Sequence, residues 1–177
     1  MRDPHFGDAR GQQPIAEELI ERLGSEEFDQ AQAAAERLFQ QGGAALAALV
    51  AGLSHSNWRV RQQCAGLMDH LGDDRCIEPL RRALHDPIAG VRRLAIHALG
   101  CQPCKLAPLR ADIAGLLIER ALSDPSIRVR RVAVHMLGLQ PYDARAVTAL
   151  QTLLARETDA PLLSRARRAL AEQEQKR

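Results

Sequence analysis

The chain has 177 residues, of which 46% are hydrophobic, 26% are charged and only 3% are aromatic, and its formal net charge is +2 at pH 7. This length allows one domain with a real core, and the alanine- and leucine-rich apolar content favours closely packed helices over strands. The near-balanced charge excludes a strongly basic nucleic-acid-binding chain, although a balanced total can hide a one-sided distribution.

The N-terminal segment, MRDPHFGDARGQQP, lacks the apolar region of a secretory signal, and no later stretch approaches the roughly 20 apolar residues of a membrane span. Four cysteines without a signal indicate reduced thiols, so we expect a cytoplasmic protein with no membrane partner. Residues 1–11 carry no helical pattern, and we expect them to be disordered ahead of one domain over 12–177.

A repeated phrase organises the rest of the chain. The segment VRQQCAGLMDHLGDDRCIEPL begins at Val60, and its Val-Arg pair returns at Val91 and Val129. Seven of ten residues are identical between VRRLAIHALG and VRRVAVHMLG. The first spacing is 31 residues and the second is 38, with the extra seven in the stretch that holds Cys101 and Cys104. Weaker copies near 31–39 and 162–170 indicate that the repeat continues in both directions.

Each copy has the periodicity of an amphipathic helix, and another apolar helical stripe lies between successive copies. The pattern therefore predicts helix pairs at about 12–43, 44–72, 73–104, 105–142 and 143–177. A single pair cannot bury its stripe, whereas stacked pairs form one continuous core. We predict an all-α, right-handed α-solenoid of about five pairs.

The ends of these helices also have sequence signals. Asp86-Pro87 and Asp124-Pro125 predict an N-cap followed by proline at the first helical position. Glycines recur near the predicted C-termini, where they favour left-handed caps; they are Gly72, Gly100 and Gly138.

The phrase at Val60 resembles the short HEAT repeats first noted in phycobilisome lyases, whose pattern is close to V-R-x-x-A-A-x-A-L-G-x-I-G-D-x-R-A-V-x-x-L. Arg75, Ile77 and Leu80 stand where that pattern expects them. The resemblance covers roughly residues 28–170 and is strongest over 55–138. It implies the solenoid fold, but such arrays serve as scaffolds, lyase subunits, alkylpurine glycosylases and metal hydroxylases, so function must be argued from the residues.

The resemblance also implies a ladder in which an Asp in the turn of each pair binds an Arg six residues later. Asp86 with Arg92, and Asp124 with Arg130, keep that spacing. His55 stands in place of the Asp ahead of Arg61, so we expect that rung to be interrupted.

Steps of 100° per residue place basic side chains on the second helices, opposite the apolar stripe. In arrays of this family the second helices line the concave surface, and no acidic residue stands at the positions in question. We predict a basic groove for an acidic protein or peptide partner, with an ordinary solvated face as the alternative. The groove residues are Arg37, Arg93, His97, Arg131, His135 and Arg168.

Nucleic acid is the second possible partner, through phosphate contacts in the same groove. Stacking on bases needs aromatic side chains, and the chain has one Trp, one Tyr and three Phe. An acidic protein partner is therefore the preferred interpretation.

His97, Cys101 and Cys104 offer three soft ligands within eight residues, as in half of a zinc site, and His70 or Cys76 could supply the fourth. A single C-x-x-C is a weak signal, so thiols in a helix-ending turn are the leading interpretation. We assign no cofactor and keep zinc as the alternative.

Catalytic motifs are lacking. No His is followed by Glu, as a hydroxylase of this family would need, and the predicted groove lacks the aromatic and acidic residues of a glycosylase. There is also no glycine-rich phosphate loop. We expect a non-catalytic binding module, with a lyase-like, glycosylase-like or chaperone-like role left open.

Overall fold

The computed structural model describes residues 15–105 and 107–177. Within these ranges the chain forms helices and no strand, so the predicted all-α class is confirmed. The segment 1–11, predicted to be disordered, lies outside the described residues. The helices are α1 (Ala16–Arg22), α2 (Phe28–Gln41), α3 (Leu46–Gly52), α4 (Trp58–Leu71), α5 (Ile77–Ala83), α6 (Ala89–Gly100), α7 (Ile113–Ser123), α8 (Ile127–Leu139), α9 (Ala144–Arg156) and α10 (Ala160–Gln175), with 3-10 turns at Gly42–Ala45 and Asp74–Cys76.

Consecutive helices form five pairs, from α1–α2 to α9–α10, and the second helices α4, α6, α8 and α10 pack side by side. The first Val of each phrase is fully buried between them, at Val60, Val91 and Val129. The predicted solenoid of five pairs is therefore confirmed. None of the helices in the described residues is long and apolar enough to cross a membrane.

The arginine ladder connects neighbouring pairs rather than closing within one pair. Each arginine donates through Nη1 to a carbonyl in its own turn, six residues earlier. Its other donors reach a carboxylate in the turn of the next pair. The three rungs are Arg61 with Asp86 at 2.6 Å, Arg92 with Asp124 at 2.8 Å and Arg130 with Glu157 at 2.8 Å.

The expected interruption at Arg61 is therefore wrong, because the acid comes from the following pair and Asp86 is present. His55 takes over the local role of the acid in its turn, since its Nδ1 accepts the N–H of Asn57 at 3.0 Å. Its Nε2 donates to Glu21 of the preceding pair at 3.2 Å. The turn thus keeps a link to the preceding pair without an Asp.

Two predictions about helix ends are corrected. Asp86 and Asp124 are not N-caps: α6 begins at Ala89 and α8 at Ile127. Their carboxylates instead accept the N–H two residues on, at 2.8 Å in both cases, which makes an Asx-turn ahead of the helix.

The predicted left-handed caps at Gly72, Gly100 and Gly138 are also wrong, because Gly42 is the only positive-φ glycine in the described ranges. Glycine is needed at two of these sites for space. A Cβ on Gly100 would lie 2.7 Å from Cβ of Met136, and one on Gly138 would lie 3.1 Å from Cα of Ala169. These glycines let neighbouring second helices approach closely.

Candidate functional site

The six predicted groove residues all lie on second helices, on α2, α6, α8 and α10. Arg37 and Arg168 are exposed, while the other four are partly buried. Helices α6 and α8 together carry five arginines and no carboxylate. Two of these arginines, Arg92 and Arg130, belong to the ladder, so the predicted basic groove stays a prediction. We call the set Arg37, Arg93, His97, Arg131, His135 and Arg168 the basic face.

Carboxylates from outside these helix positions neutralise part of the basic face. Arg131 donates two hydrogen bonds from Nη2 and Nε to Asp159, at 2.7 Å and 3.1 Å. Asp159 is also the N-cap of α10 and accepts the N–H of Leu162 at 2.8 Å. The hydrogen bond from Arg131 lowers the pKa of Asp159 below its ordinary value. Arg131 therefore holds the N-cap residue of α10 in place.

His97 is likewise paired, since its Nε2 lies 3.2 Å from Oδ2 of Asp69 on α4. No acidic residue stands at the predicted groove positions themselves, as expected. Asp159 and Asp69 of neighbouring elements nevertheless pair with two of the basic residues there, Arg131 and His97. Four members keep no carboxylate within 4.0 Å among the residues that the structure describes. These four are Arg37, Arg93, His135 and Arg168.

A second group of functional side chains lies at the end of α6. Asp69, His97, Cys101 and Cys104 each offer one ligand atom, and these atoms all lie within 4.8 Å of one another. Asp69 is in the last turn of α4, His97 on α6, and the cysteines at the start of the loop to α7. We call these four residues the thiol cluster.

Three candidate zinc ligands from the sequence lie in the thiol cluster, and the fourth member is Asp69 rather than His70 or Cys76. His70 instead packs edge-on against the ring of Phe39, with ring centroids 5.9 Å apart. Cys76 is buried but does not join the group. A step of one residue along α4 turns a side chain by about 100°. Asp69 therefore points toward His97, whereas His70 stays exposed, although its Nε2 lies 3.6 Å from Oδ2 of Asp69.

A buried ammonium, that of Lys105, lies beside the thiol cluster, and one carboxylate oxygen of the cluster has no partner among the described residues. Lys105, whose side chain is 2% exposed, donates to the backbone oxygen of Asp69 at 3.1 Å and lies 3.8 Å from its Oδ1. That Oδ1 has no hydrogen-bond partner among the described residues. Burial lowers the pKa of Lys105. Burial by itself would raise the pKa of Asp69, but the hydrogen bond from His97 helps to hold it below its ordinary value.

The two thiols of the cluster lie close together, with Sγ of Cys101 2.7 Å from Sγ of Cys104. The hydrogen bond with Cys101, together with burial, raises the pKa of Cys104 to about 12. In the absence of a metal the Cys104 thiol is therefore protonated at neutral pH.

Sequence reasoning missed a row of buried polar side chains that close the C-terminal ends of the second helices. The Nε2 of Gln140 donates to the carbonyl of Gly100 at 2.7 Å, and that of Gln173 donates to the carbonyl of Leu137 at 2.8 Å. Lys105 makes the equivalent bond to α4. The signal available in the sequence is a long polar residue near the end of the following second helix: Lys105 and Gln140 come after α6 and α8, and Gln173 lies in the last turn of α10.

Comparison with known proteins agrees with this architecture. Residues 15–100 match the family described as HEAT repeats. The structure of the CpcE–CpcF complex of phycocyanin lyase from Nostoc sp. PCC7120 is similar, with a TM-score of 0.73 and 21% identity over 87% of this chain and 96% of that chain. No curated protein matches the sequence.

Designed proteins share the fold as well. A designed armadillo repeat protein in complex with the peptide (KR)4 has a TM-score of 0.57 and 18% identity over 90% of this chain and 82% of that chain. An engineered protein has a TM-score of 0.58 and 22% identity over 90% of this chain and 79% of that chain. At these identities the likeness concerns the fold alone.

Proposed function

We propose that this chain, whose residues 15–100 match HEAT repeats, acts as a non-catalytic scaffold that binds an acidic protein or peptide through the basic face. HEAT and armadillo solenoids present a long surface made of equivalent helices. One designed protein of similar fold is seen with the basic peptide (KR)4, which supports peptide binding by the fold but not the charge of the partner. The proposal needs groups on that surface that are still available to a partner.

The observation that carries the proposal is the set Arg37, Arg93, His135 and Arg168, which lack carboxylate partners among the described residues. Neighbouring second helices pack at about 10 Å, so basic groups on the adjacent helices α6, α8 and α10 would suit an extended segment with several carboxylates. Arginine binds carboxylates in a bidentate manner, which supports recognition rather than only attraction. Arg131 and His97 contribute less, because Asp159 and Asp69 already hold them.

The test is the affinity for a fluorescent glutamate-rich peptide at about 0.15 M salt, where the Debye length is about 8 Å. Arg93→Glu with Arg168→Glu should weaken binding at least about tenfold, since it replaces attraction with repulsion at two contacts. Arg131 is left intact, because its reversal would also disturb the cap of α10. The matched control is Arg82→Glu with Arg156→Glu, which changes net charge equally on exposed positions of α5 and α9.

We expect the control to bind within about twofold of the unaltered chain, because exposed charges beyond a Debye length contribute little. Equal losses of affinity in both double variants would mean that net charge alone determines binding, and would reject the basic face as the binding site. Unchanged affinity in the Arg93/Arg168 variant would reject it directly.

Nucleic acid remains the alternative partner, and salt dependence alone does not separate the two classes. Single-stranded and duplex DNA are therefore titrated under the same conditions. The acidic-protein proposal expects no saturable binding of either. Saturable DNA binding that is lost in the Arg93/Arg168 variant would replace the protein partner with nucleic acid.

A subunit of a two-subunit lyase is a second candidate, favoured by the match to nearly the whole length of a chain in the phycocyanin lyase complex. Identity of 21% carries the fold and not the activity. Mixing the protein with phycocyanin and measuring complex formation by size-exclusion chromatography tests this candidate. A stable complex would support the lyase-subunit candidate. Separate elution would reject it and leave the scaffold function as the remaining candidate.

A further inference from the structure

We propose that Asp69, His97, Cys101 and Cys104 bind one zinc ion, which fastens the loop between α6 and α7 to the ends of α4 and α6. Their ligand atoms lie within 4.8 Å of one another and come from two helices and one loop. The proposal does not depend on the basic face or on any partner.

The ligand types suit zinc. Thiolate, imidazole and carboxylate are the groups that zinc prefers, and four protein ligands make a closed, structural site. In a tetrahedral site a nitrogen and an oxygen ligand lie about 3.3 Å apart, and Nε2 of His97 is 3.2 Å from Oδ2 of Asp69. Two zinc-bound sulfurs lie about 3.8 Å apart, so the 2.7 Å between the thiols requires Cys104 to move outward by about 1 Å.

Burial and charge support a cation at this place. Oδ1 of Asp69 is buried without a hydrogen-bond partner among the described residues, which is costly for a carboxylate oxygen. Two thiolates and one carboxylate carry three negative charges, and Zn²⁺ with the buried ammonium of Lys105 carries three positive charges. The filled site would therefore be neutral, as buried charges need to be.

The thiol cluster lies at the start of the loop that lengthens the repeat spacing. The loop from Cys101 to Asp112 holds the seven residues that the preceding interval lacks. A long loop is expensive to order, and a metal that binds its first residues reduces that cost. His97 and Cys101 are four residues apart at the end of α6, and Cys104 brings the loop back to them.

The first measurement is the metal content of the full chain, purified under reducing conditions without chelator. We expect about one zinc per chain. The metal is then removed and Co²⁺ is titrated into the reduced protein. Thiolate-to-cobalt absorption and intense tetrahedral d–d bands are expected, because they report sulfur ligation directly.

Variants assign the ligands. Cys104→Ser should weaken Co²⁺ and Zn²⁺ binding at least tenfold and reduce the thiolate band, and Asp69→Asn should weaken binding while leaving that band. The control is Cys64→Ala, which removes a thiol outside the cluster. Alanine already stands at the equivalent positions of α6, α8 and α10, so the core tolerates it. Circular dichroism checks that each variant is folded.

The unaltered chain alone is enough to overturn the proposal. Protein that is reduced, contains no zinc and gives no cobalt spectrum would reject the site, whatever the variants do. A disulfide between Cys101 and Cys104 that forms again after reduction and prevents metal uptake would also reject it. Binding that survives in Cys104→Ser but is lost in Cys64→Ala would place the metal elsewhere.

Discussion

The rung formed by Arg92 and Asp124 is the most deeply buried ion pair of the ladder. Arg92 is 7% exposed and Asp124 is 1% exposed, and two hydrogen bonds of 2.8 Å and 2.9 Å join them. A buried pair of this kind is costly to break because one charge is left unpaired. Burial thus makes this rung more important for stability than the exposed ion pairs.

Asp124→Ala should accordingly lower the free energy of unfolding by about 3–5 kcal/mol. The control Glu78→Ala removes an exposed pair with Arg81 on one helix and should cost less than about 0.5 kcal/mol. Urea unfolding followed by circular dichroism measures both. Equal losses in the two variants would contradict the role of burial.

Acid should destabilise the fold only below pH 4. Burial by itself raises the pKa of Asp124, but the hydrogen bonds from Arg92 and Ser126 outweigh it and lower the value. The hydrogen bond from Arg145 lowers the pKa of Asp112 to about 2. A carboxyl whose folded pKa is depressed stabilises the fold above its unfolded pKa of about 3.9 and loses that effect as pH falls through the folded pKa.

The free energy of unfolding of metal-free protein should therefore change little from these groups between pH 7 and 5, and should fall between about pH 4 and 2. Urea titrations at a series of pH values measure it. A loss of most stability already between pH 7 and 5 would show that other groups dominate.

At the scale of the helices, close approach is set by glycine. Gly100 should not accept alanine, because the new Cβ would lie 2.7 Å from Cβ of Met136, and overpacking of this kind costs about 1–3 kcal/mol. Gly66, inside α4, is the matched control, since its Cβ would meet only Cδ1 of Leu94, at 3.5 Å. Gly66→Ala should stabilise the protein by about 0.5–1 kcal/mol through helix propensity.

Thermal unfolding of the two alanine variants measures these effects with opposite signs. A stabilised Gly100→Ala would mean that α6 and α8 can move apart without cost, contrary to the close packing described above.

The helices and their pairing could be predicted because the apolar stripe is a local property of the sequence. The spacing of Val91, Leu94 and Ala95 predicts the buried face of α6 without any information about the helices that pack against it. The partners of polar groups could not be predicted in this way. Arg92 meets Asp124 in the next pair, and His97 meets Asp69 across two helices. A shift of one residue decides whether Asp69 or His70 faces the thiols, and spacing alone does not resolve it.

For the whole molecule, the structure divides the basic face into two parts. Arg131 and His97 are paired with acids of neighbouring elements, whereas Arg37, Arg93, His135 and Arg168 have no carboxylate partner in the part of the chain that the structure describes. Since each pair contacts mainly its neighbours in a solenoid, a partner lying along the second helices would touch several pairs at once. Binding should therefore be spread over the face rather than centred on one pocket.

The most direct test of this account is a map of backbone amide shifts as unlabelled glutamate-rich peptide is added to ¹⁵N-labelled protein. We predict the largest changes on the second helices, around Arg93, His135 and Arg168, with small changes on α5, α7 and α9. Changes concentrated on those first helices, or no changes at saturating peptide, would contradict the assignment of the basic face as the binding surface.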